Sequence, residues 1–263
     1  MGRGMTEFKD SRMMLEQIAS AAHRSGFRQR ILGEVPGPET PFPMIALSKK
    51  LAGQSPRILI SAGIHGDEPA GPHAILSLLQ SYAEEWSELS PYHIEIVPLI
   101  NPTGFDRRQR ENWQGIDLNR TFGSADPPPE IRALMDDYKR RQIDLFVDFH
   151  EDVDTPGFYL YELAPDKSGP FGPHIIQALR DHKLPINTSE IIEGMPAIDG
   201  LILRTSRSVP RFFRKGAPQG LYMIKLGTTR TLTFETPPSL PLEKRVSMHL
   251  IALRAILSRW RPE

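Results

Sequence analysis

The sequence predicts a single α/β domain on three observations: its length, the alternation of short apolar runs with helical periods, and the absence of any linker-like tract. At 263 residues the chain can bury roughly 75% of its unfolded surface in one core without staples. The proline-rich pieces at 36–43 (PGPETPFP) and 125–129 (ADPPP) are breakers inside a domain, too short to separate two. No internal repeat or low-complexity stretch interrupts the pattern, so residues 1–263 read as one unit.

Taken along the chain, Leu15, Ile18 and Ala22 first mark a helical stripe. Arg57 to Ser61 (RILIS) is an apolar, β-branched strand, and Ala74, Ile75, Leu78, Leu79 and Tyr82 form the next helical face. His93 to Ile100 (HIEIVPLI) is a second strand, followed by a helix carrying Ile131, Leu134, Met135 and Tyr138. Strands over Asp144 to Phe149 (DLFVDF), Phe158 to Tyr161 (FYLY) and Thr231 to Phe234 (TLTF) come next. Their continuous apolar character indicates cover on both faces. Leu242, Val246, Leu250, Leu253, Leu257 and Trp260 close the chain as a helix, with Pro241 at its start.

Composition excludes several functions. With 0 Cys there is no disulfide, iron–sulfur cluster or thiol nucleophile, so a metal must be held by His and carboxylates. Thirty-two Lys and Arg balance 32 Asp and Glu, which removes the global basic field that nucleic-acid or anionic-membrane partners need. The N-terminal MGRGMTEFKD lacks an apolar signal core, and no run approaches the ~20 apolar residues of a membrane span. A cytoplasmic protein is expected.

Four blocks carry chemistry. His65 and Glu68, three apart after the RILIS strand, place an imidazole and a carboxylate where both can face one point and suit Zn²⁺. Alone, the pair is read first as a loop histidine beside a helix-start acid that complements the helix dipole. In Asp148-Phe-His150-Glu151-Asp152 an apolar strand ends in acids around one histidine, at the strand end where open α/β sheets put their crevices. The bland alternative is a solvated strand end. Thr231-Leu-Thr-Phe-Glu235-Thr-Pro-Pro delivers a carboxylate before a proline-enforced turn, suited to take a proton from water or to remain a surface acid. Finally come Asn101-Pro-Thr-Gly104, Arg110-Glu-Asn112 and Gly115-Ile-Asp117-Leu-Asn119-Arg120. Their amides and guanidinium forks suit a carboxylate clamp or a water-facing loop of turn formers.

In order, HxxE, NPxG, a lone Arg, GxDxNR, a later His and a Glu in a TFE strand resemble the zinc carboxypeptidases, the carboxypeptidase A-like metallopeptidases. The pattern spans residues 62 to 237. The resemblance implies one Zn²⁺ on His65, Glu68 and His150, with Glu235 as general base. It implies that Arg110 holds the oxyanion, that Asn119 and Arg120 bind a terminal carboxylate, and that Asp117 orients the first histidine. The implied fold is a mixed, mostly parallel twisted sheet of about eight strands flanked by helices.

The short RxN to GxDLNR interval is closer to bacterial forms such as the murein peptide amidases. Tyr222, 13 positions before Glu235, is the candidate for the family's substrate-capping tyrosine, with core or rim packing as its alternative. Arg204, Arg207, Arg211, Arg214, Lys215, Lys225 and Arg230 form either a positive rim that draws extra carboxylates or a solvated basic loop. Phe158, Tyr159 and Tyr161 are pocket-wall candidates, some of which alternation sends into the core.

The leading expectation is a zinc hydrolase that cuts an amide next to a free carboxylate. Its substrate is a peptide or an acyl-amino acid, with neither nucleic acid nor membrane as partner. An N-acyl amino acid deacylase resembling succinylglutamate desuccinylase and aspartoacylase is the alternative, since Asp117-Leu-Asn-Arg-Thr-Phe122 fits both groups. A zinc-binding scaffold without catalysis is the third reading. Glu235 and Arg110 argue against it, because a binding module needs neither a base nor an oxyanion donor.

Overall fold

A computed structural model describes residues 7–38, 40–51, 55–164, 169–205 and 216–260. In chain order its elements are α1 (Ser11–Arg24), β1 (Arg28–Val35), β2 (Phe42–Lys49), β3 (Arg57–Ala62), α2 (Ala70–Glu85), β4 (His93–Val97) and α3 (Pro102–Arg107). They continue with α4 (Pro129–Tyr138), β5 (Leu145–Glu151), β6 (Tyr159–Ala164), α5 (Gly172–Asp181), β7 (Ile191–Ile192) and β8 (Met195–Pro196). The last are β9 (Leu201–Thr205), α6 (Gln219–Lys225), β10 (Arg230–Thr236) and α7 (Leu242–Arg259).

Eight strands form one mixed sheet in the order β1-β2-β4-β3-β5-β10-β6-β9. The pairs β4–β3, β3–β5, β5–β10 and β6–β9 are parallel, whereas β1–β2, β2–β4 and β10–β6 are antiparallel. This is the predicted α/β class, and β3, β5 and β10 sit side by side at its centre. The expected strand over 93–100 stops pairing at Val97, because Pro98 offers no N–H to the ladder. Pro36, Pro38 and Pro41 lie in the β1–β2 connection, Pro43 is already in β2, and Pro129 occupies the first turn of α4.

Alternation along each strand sorts residues to two faces. Ile58, Ile60, Val147, Phe149, Leu160, Leu232 and Phe234 join α1, α2, α5 and α7 in the larger core. Phe149 and Phe234 stack there at 5.8 Å, each fully buried and each contributing about 1.5–3 kcal/mol of burial. The opposite face begins apolar, with Leu59 and Phe146 packed on α4 and α6. Further along the same strands it turns polar, through Ser61, Asp148, His150, Thr233 and Glu235, all of them buried except half-exposed Thr233. The candidate site grows from that polar end.

Candidate metal centre and active site

β3 ends at Ala62, and Gly63 at φ +66 turns the chain so that His65 points back across the sheet edge. A Cβ on Gly66 would lie 1.9 Å from the Gly104 carbonyl carbon, so the His65 loop and the start of α3 touch backbone to backbone. Asn101 fixes that contact: its Oδ1 accepts from Gly104 N (2.8 Å) and its Nδ2 donates to the Arg110 carbonyl (3.2 Å). The NPxG block is thus a brace between the metal loop and Arg110.

Glu68 lies between the two histidines. Its Oε1 is 2.6 Å from His65 Nδ1 and its Oε2 is 2.9 Å from His150 Nδ1. One donor atom from each of the three residues falls within 4.8 Å of the others, and all three residues are buried. Ligands about 2.0–2.1 Å from a tetrahedral ion stand roughly 3.4 Å apart, so a small outward relaxation of this cluster accommodates one. The outer imidazole nitrogens are also suitably partnered. His65 Nε2 faces Asp117 Oδ1 at 3.3 Å, and His150 Nε2 faces Asp148 Oδ2 at 3.0 Å. Carboxylates there hold the proton on Nε2 and turn the Nδ1 lone pairs inward, the arrangement a metal requires. His, Glu and His thus fit one divalent cation.

The metal-free electrostatics are those of a charge cluster. Burial works to raise the Glu68 pKa, but His150 and His65 outweigh it and hold the carboxyl well below the usual range. Burial would depress His150, yet Asp148 and Glu68 lift it well above the ordinary imidazole value. Asp117 lies below its usual value because His65, Arg110 and Arg120 together overcome its burial. Glu235 is pushed far upward, first by burial and then, against His150, by Glu68, Asp152 and Asp148.

Parallel pairing places Glu235 on β10 opposite His150 on β5, with Tyr159 of β6 on its other side. Arg110 is half-exposed; its Nε donates to Asp117 Oδ2 (3.1 Å) and its Nη1 is 3.6 Å from Glu68 Oε1. Asp117 also accepts from Asn119 N at 3.0 Å, which caps the short turn bearing Asn119 and Arg120. Asn119 Oδ1 accepts from Gln219 N of α6 at 2.8 Å. His65, Glu68, His150, Glu235, Arg110, Asn119 and Arg120 all line one cavity of about 510 Å³.

Three expectations need correction. Tyr222 does not face the cavity: α6 packs it, 3% exposed, into the second core beside Phe122 at 5.6 Å. Arg230 is not on a rim, because its buried guanidinium pairs with Glu162 and lies 4.0 Å over the Phe171 ring. Phe158 is core, whereas Tyr159 and Tyr161 do wall the cavity. Arg204 lines it too; Lys225 is exposed at the end of α6, and Arg207, Arg211, Arg214 and Lys215 lie outside the described residues.

Two residues with evident roles were not assigned any from sequence. Asp148 holds His150 and in turn accepts from Ser61 Oγ at 2.6 Å. The signal was its position two before His150 on a strand, which puts both on one face. Asn112 accepts from Gln114 N and Ile116 N (3.0 and 3.1 Å) and donates to buried Glu130, so it sets the loop between Arg110 and Asp117.

Residues 54–196, more than half of the chain, match the model of the succinylglutamate desuccinylase/aspartoacylase catalytic domain. Carboxypeptidase SOL1 of Arabidopsis thaliana is 33% identical over 86 residues, 30% of this chain and 16% of that protein. Carboxypeptidase D of Rattus norvegicus is 29% identical over 105 residues, 34% of this chain and 8% of its own length. The chain thus spans a small part of these two relatives. A crystal structure of a metallopeptidase-type protein from Shewanella amazonensis superposes with TM-score 0.81 and 26% identity, covering 97% of this chain and 95% of that one. A metallo-carboxypeptidase from Burkholderia cenocepacia shares the fold (TM-score 0.64, 20% identity, 92% and 67% covered). The metal-ligand spacing, the sheet and these similarities agree: the chain belongs to the succinylglutamate desuccinylase/aspartoacylase family and has the zinc carboxypeptidase-like hydrolase fold.

Proposed function

We infer that the protein is a zinc-dependent hydrolase that cuts an amide bond adjacent to a free carboxylate. One observation carries the reading. The Nδ1 atoms of His65 and His150 converge on Glu68 with carboxylates behind both rings, and Glu235 stands on the strand next to His150. His65, Glu68 and His150 would hold one Zn²⁺, which when bound supplies Lewis acidity and acidifies water.

The chain's own groups do the rest. The Arg120 guanidinium, with Asn119 beside it, binds the substrate carboxylate and sets the register of the amide. Glu235 accepts a proton from the attacking water and returns it to the leaving nitrogen. Its burial suits that task, since a raised pKa strengthens the carboxylate as a base toward the water, and the departing amine, more basic still, takes the proton from it. Arg110, oriented by Asp117, donates to the developing oxyanion. Asp148, anchored by Ser61, keeps His150 in the tautomer that presents Nδ1.

A peptide C-terminus is the leading substrate, in keeping with the carboxypeptidase relatives. The family model itself favours a second reading, deacylation of an N-acyl amino acid, which presents the same amide and carboxylate. Metal analysis by mass spectrometry is expected to find about one zinc per chain, and little in a His65→Ala, His150→Ala double variant. Turnover of blocked dipeptides against N-acetyl- and N-succinyl-amino acids then separates the readings. A metal-loaded protein that cuts neither class would sink both.

A further inference from the structure

Glu151 takes no part in the reaction above. It follows His150 on β5, so alternation turns its carboxylate away from the cavity, toward the face that carries α2 and α7. There the side chain is fully buried with two partners: Oε1 accepts from Ala70 N at 2.7 Å, and Oε2 pairs with the Arg245 guanidinium. Its backbone N–H donates to Glu68 Oε2 at 3.1 Å.

Both the carboxylate and the N–H bear on Glu68. Ala70 opens α2, and Pro69 before it supplies no side-chain cap, so the Ala70 N–H would be one of the orphan donors of a helix start. Glu151 satisfies it from β5, and its charge complements the positive end of the helix. Gly71 seats that turn tightly: a Cβ there would lie 2.9 Å from Ala62 Cβ and 3.1 Å from the Phe149 carbonyl oxygen. Glu68 stands two residues before Ala70. Glu151 therefore grips the ligand carboxylate with its N–H, and the chain that carries it with its side chain.

Arg245 completes the clamp, since a fully buried carboxylate is tolerated only with a cation and its hydrogen bonds in place. It lies in the first turn of α7 and also donates Nε to the Leu240 carbonyl at 3.0 Å, on the turn that leaves β10 after Glu235. One buried ion pair thus fastens the chain after His150, the chain after Glu235 and the helix behind Glu68. We propose that Glu151, charge-balanced by Arg245, is a positioning residue that holds Glu68 at the distance from His65 and His150 that a metal ion needs. This rests on the reading of those three residues as the metal ligands.

The test is zinc affinity by chelator competition, with the visible absorption of the Co²⁺-loaded protein as a second readout of ligand geometry. Two double variants remove the ion pair as a unit and so leave no uncompensated buried charge: Glu151→Gln with Arg245→Met, and Glu151→Leu with Arg245→Met. The glutamine can still accept from Ala70 N; the leucine cannot. The leucine pair is expected to lose about 10- to 100-fold in zinc affinity, as removal of a group behind a metal ligand does, and to alter the cobalt bands. The glutamine pair should stay within about threefold of the parent, because its acceptor is retained. If the leucine pair does not fold, Glu151→Asp, one methylene too short to reach both partners, is expected to show the loss instead, and parent-like affinity there overturns the clamp. Lower melting temperatures with unchanged zinc affinity and cobalt bands, or equal losses in both pairs, overturn it and leave the metal site standing. A parent that binds neither metal overturns the clamp and the metal site together.

Discussion

The two faces of the central sheet obey opposite rules although they are made by alternate residues of the same strands. Phe149 and Phe234 lie in a dry core, while their neighbours His150 and Glu235 line the cavity. On the apolar face, adjacent residues can exchange volume and remain serviceable, since burial is roughly additive in area. On the polar face each group has a named partner: Ser61 for Asp148, Asp148 for His150, His150 for Glu68. Stability there depends on completing the chain of partners, because a buried polar group left alone costs more than the pair contributed. One strand can thus support a tolerant surface and an intolerant one.

The sharpest break of that contrast is Glu235→Gln. Turnover is expected to fall by about 10²- to 10⁴-fold, the usual worth of a general base, while zinc content and melting temperature change little. Steady-state kinetics with metal analysis checks it, and full activity would remove Glu235 from the mechanism. One position earlier the result inverts. Phe234→Ala should destabilise the fold by about 3–5 kcal/mol in urea unfolding, with zinc stoichiometry per folded molecule unchanged.

Smaller effects sharpen the polar rule. Asp148→Asn should weaken zinc binding about 10- to 100-fold, as loss of a carboxylate behind a metal histidine does, measured by competition with a chelator. Zinc affinity equal to the parent's would show that the Nε2 contact is idle. Smallest is the Arg30–Asp137–Arg141–Glu95 network, where charges on β1, α4, β4 and the chain just after α4 neutralise one another. Burial works against Asp137, but Arg30 and Arg141 win and hold its pKa below the ordinary value. A depressed folded pKa gives stability that is present above the unfolded pKa near 4 and lost as pH falls through the folded one. Because Arg30 is partly exposed, the term is discounted to about 1 kcal/mol or less. Melting curves from pH 6 to pH 3 should therefore fall less steeply for Asp137→Asn than for the parent.

What could be read from sequence follows the same division. The cluster of His65, Glu68 and His150, with Glu235 on the neighbouring strand, was legible because its chemistry admits few residue types and their order along the chain is constrained. The central strands were legible as unbroken apolar runs. β1 was not, since its residues are mostly exposed or half-exposed at the sheet edge and show neither a continuous run nor clean alternation. β9 was hidden by its five residues. Asp148 stood in plain view, yet its task depends on strand register with Ser61, a long-range fact. Tyr222 failed for the converse reason: a spacing along the chain says nothing about which side of α6 meets the core.

Asn119 gives the polar face a directional filter. An amide side chain has an oxygen end and a nitrogen end, and the Gln219 N–H claims the oxygen. The nitrogen is therefore the end left to serve the cavity, so the residue can give hydrogens to a guest but cannot swivel to receive them. The first turn of α6, through one backbone bond, thereby fixes which end of the Asn119 amide is left for the cavity. Replacing Asn119 by Asp would keep the bond to Gln219 and put a negatively charged oxygen where the amide nitrogen stands.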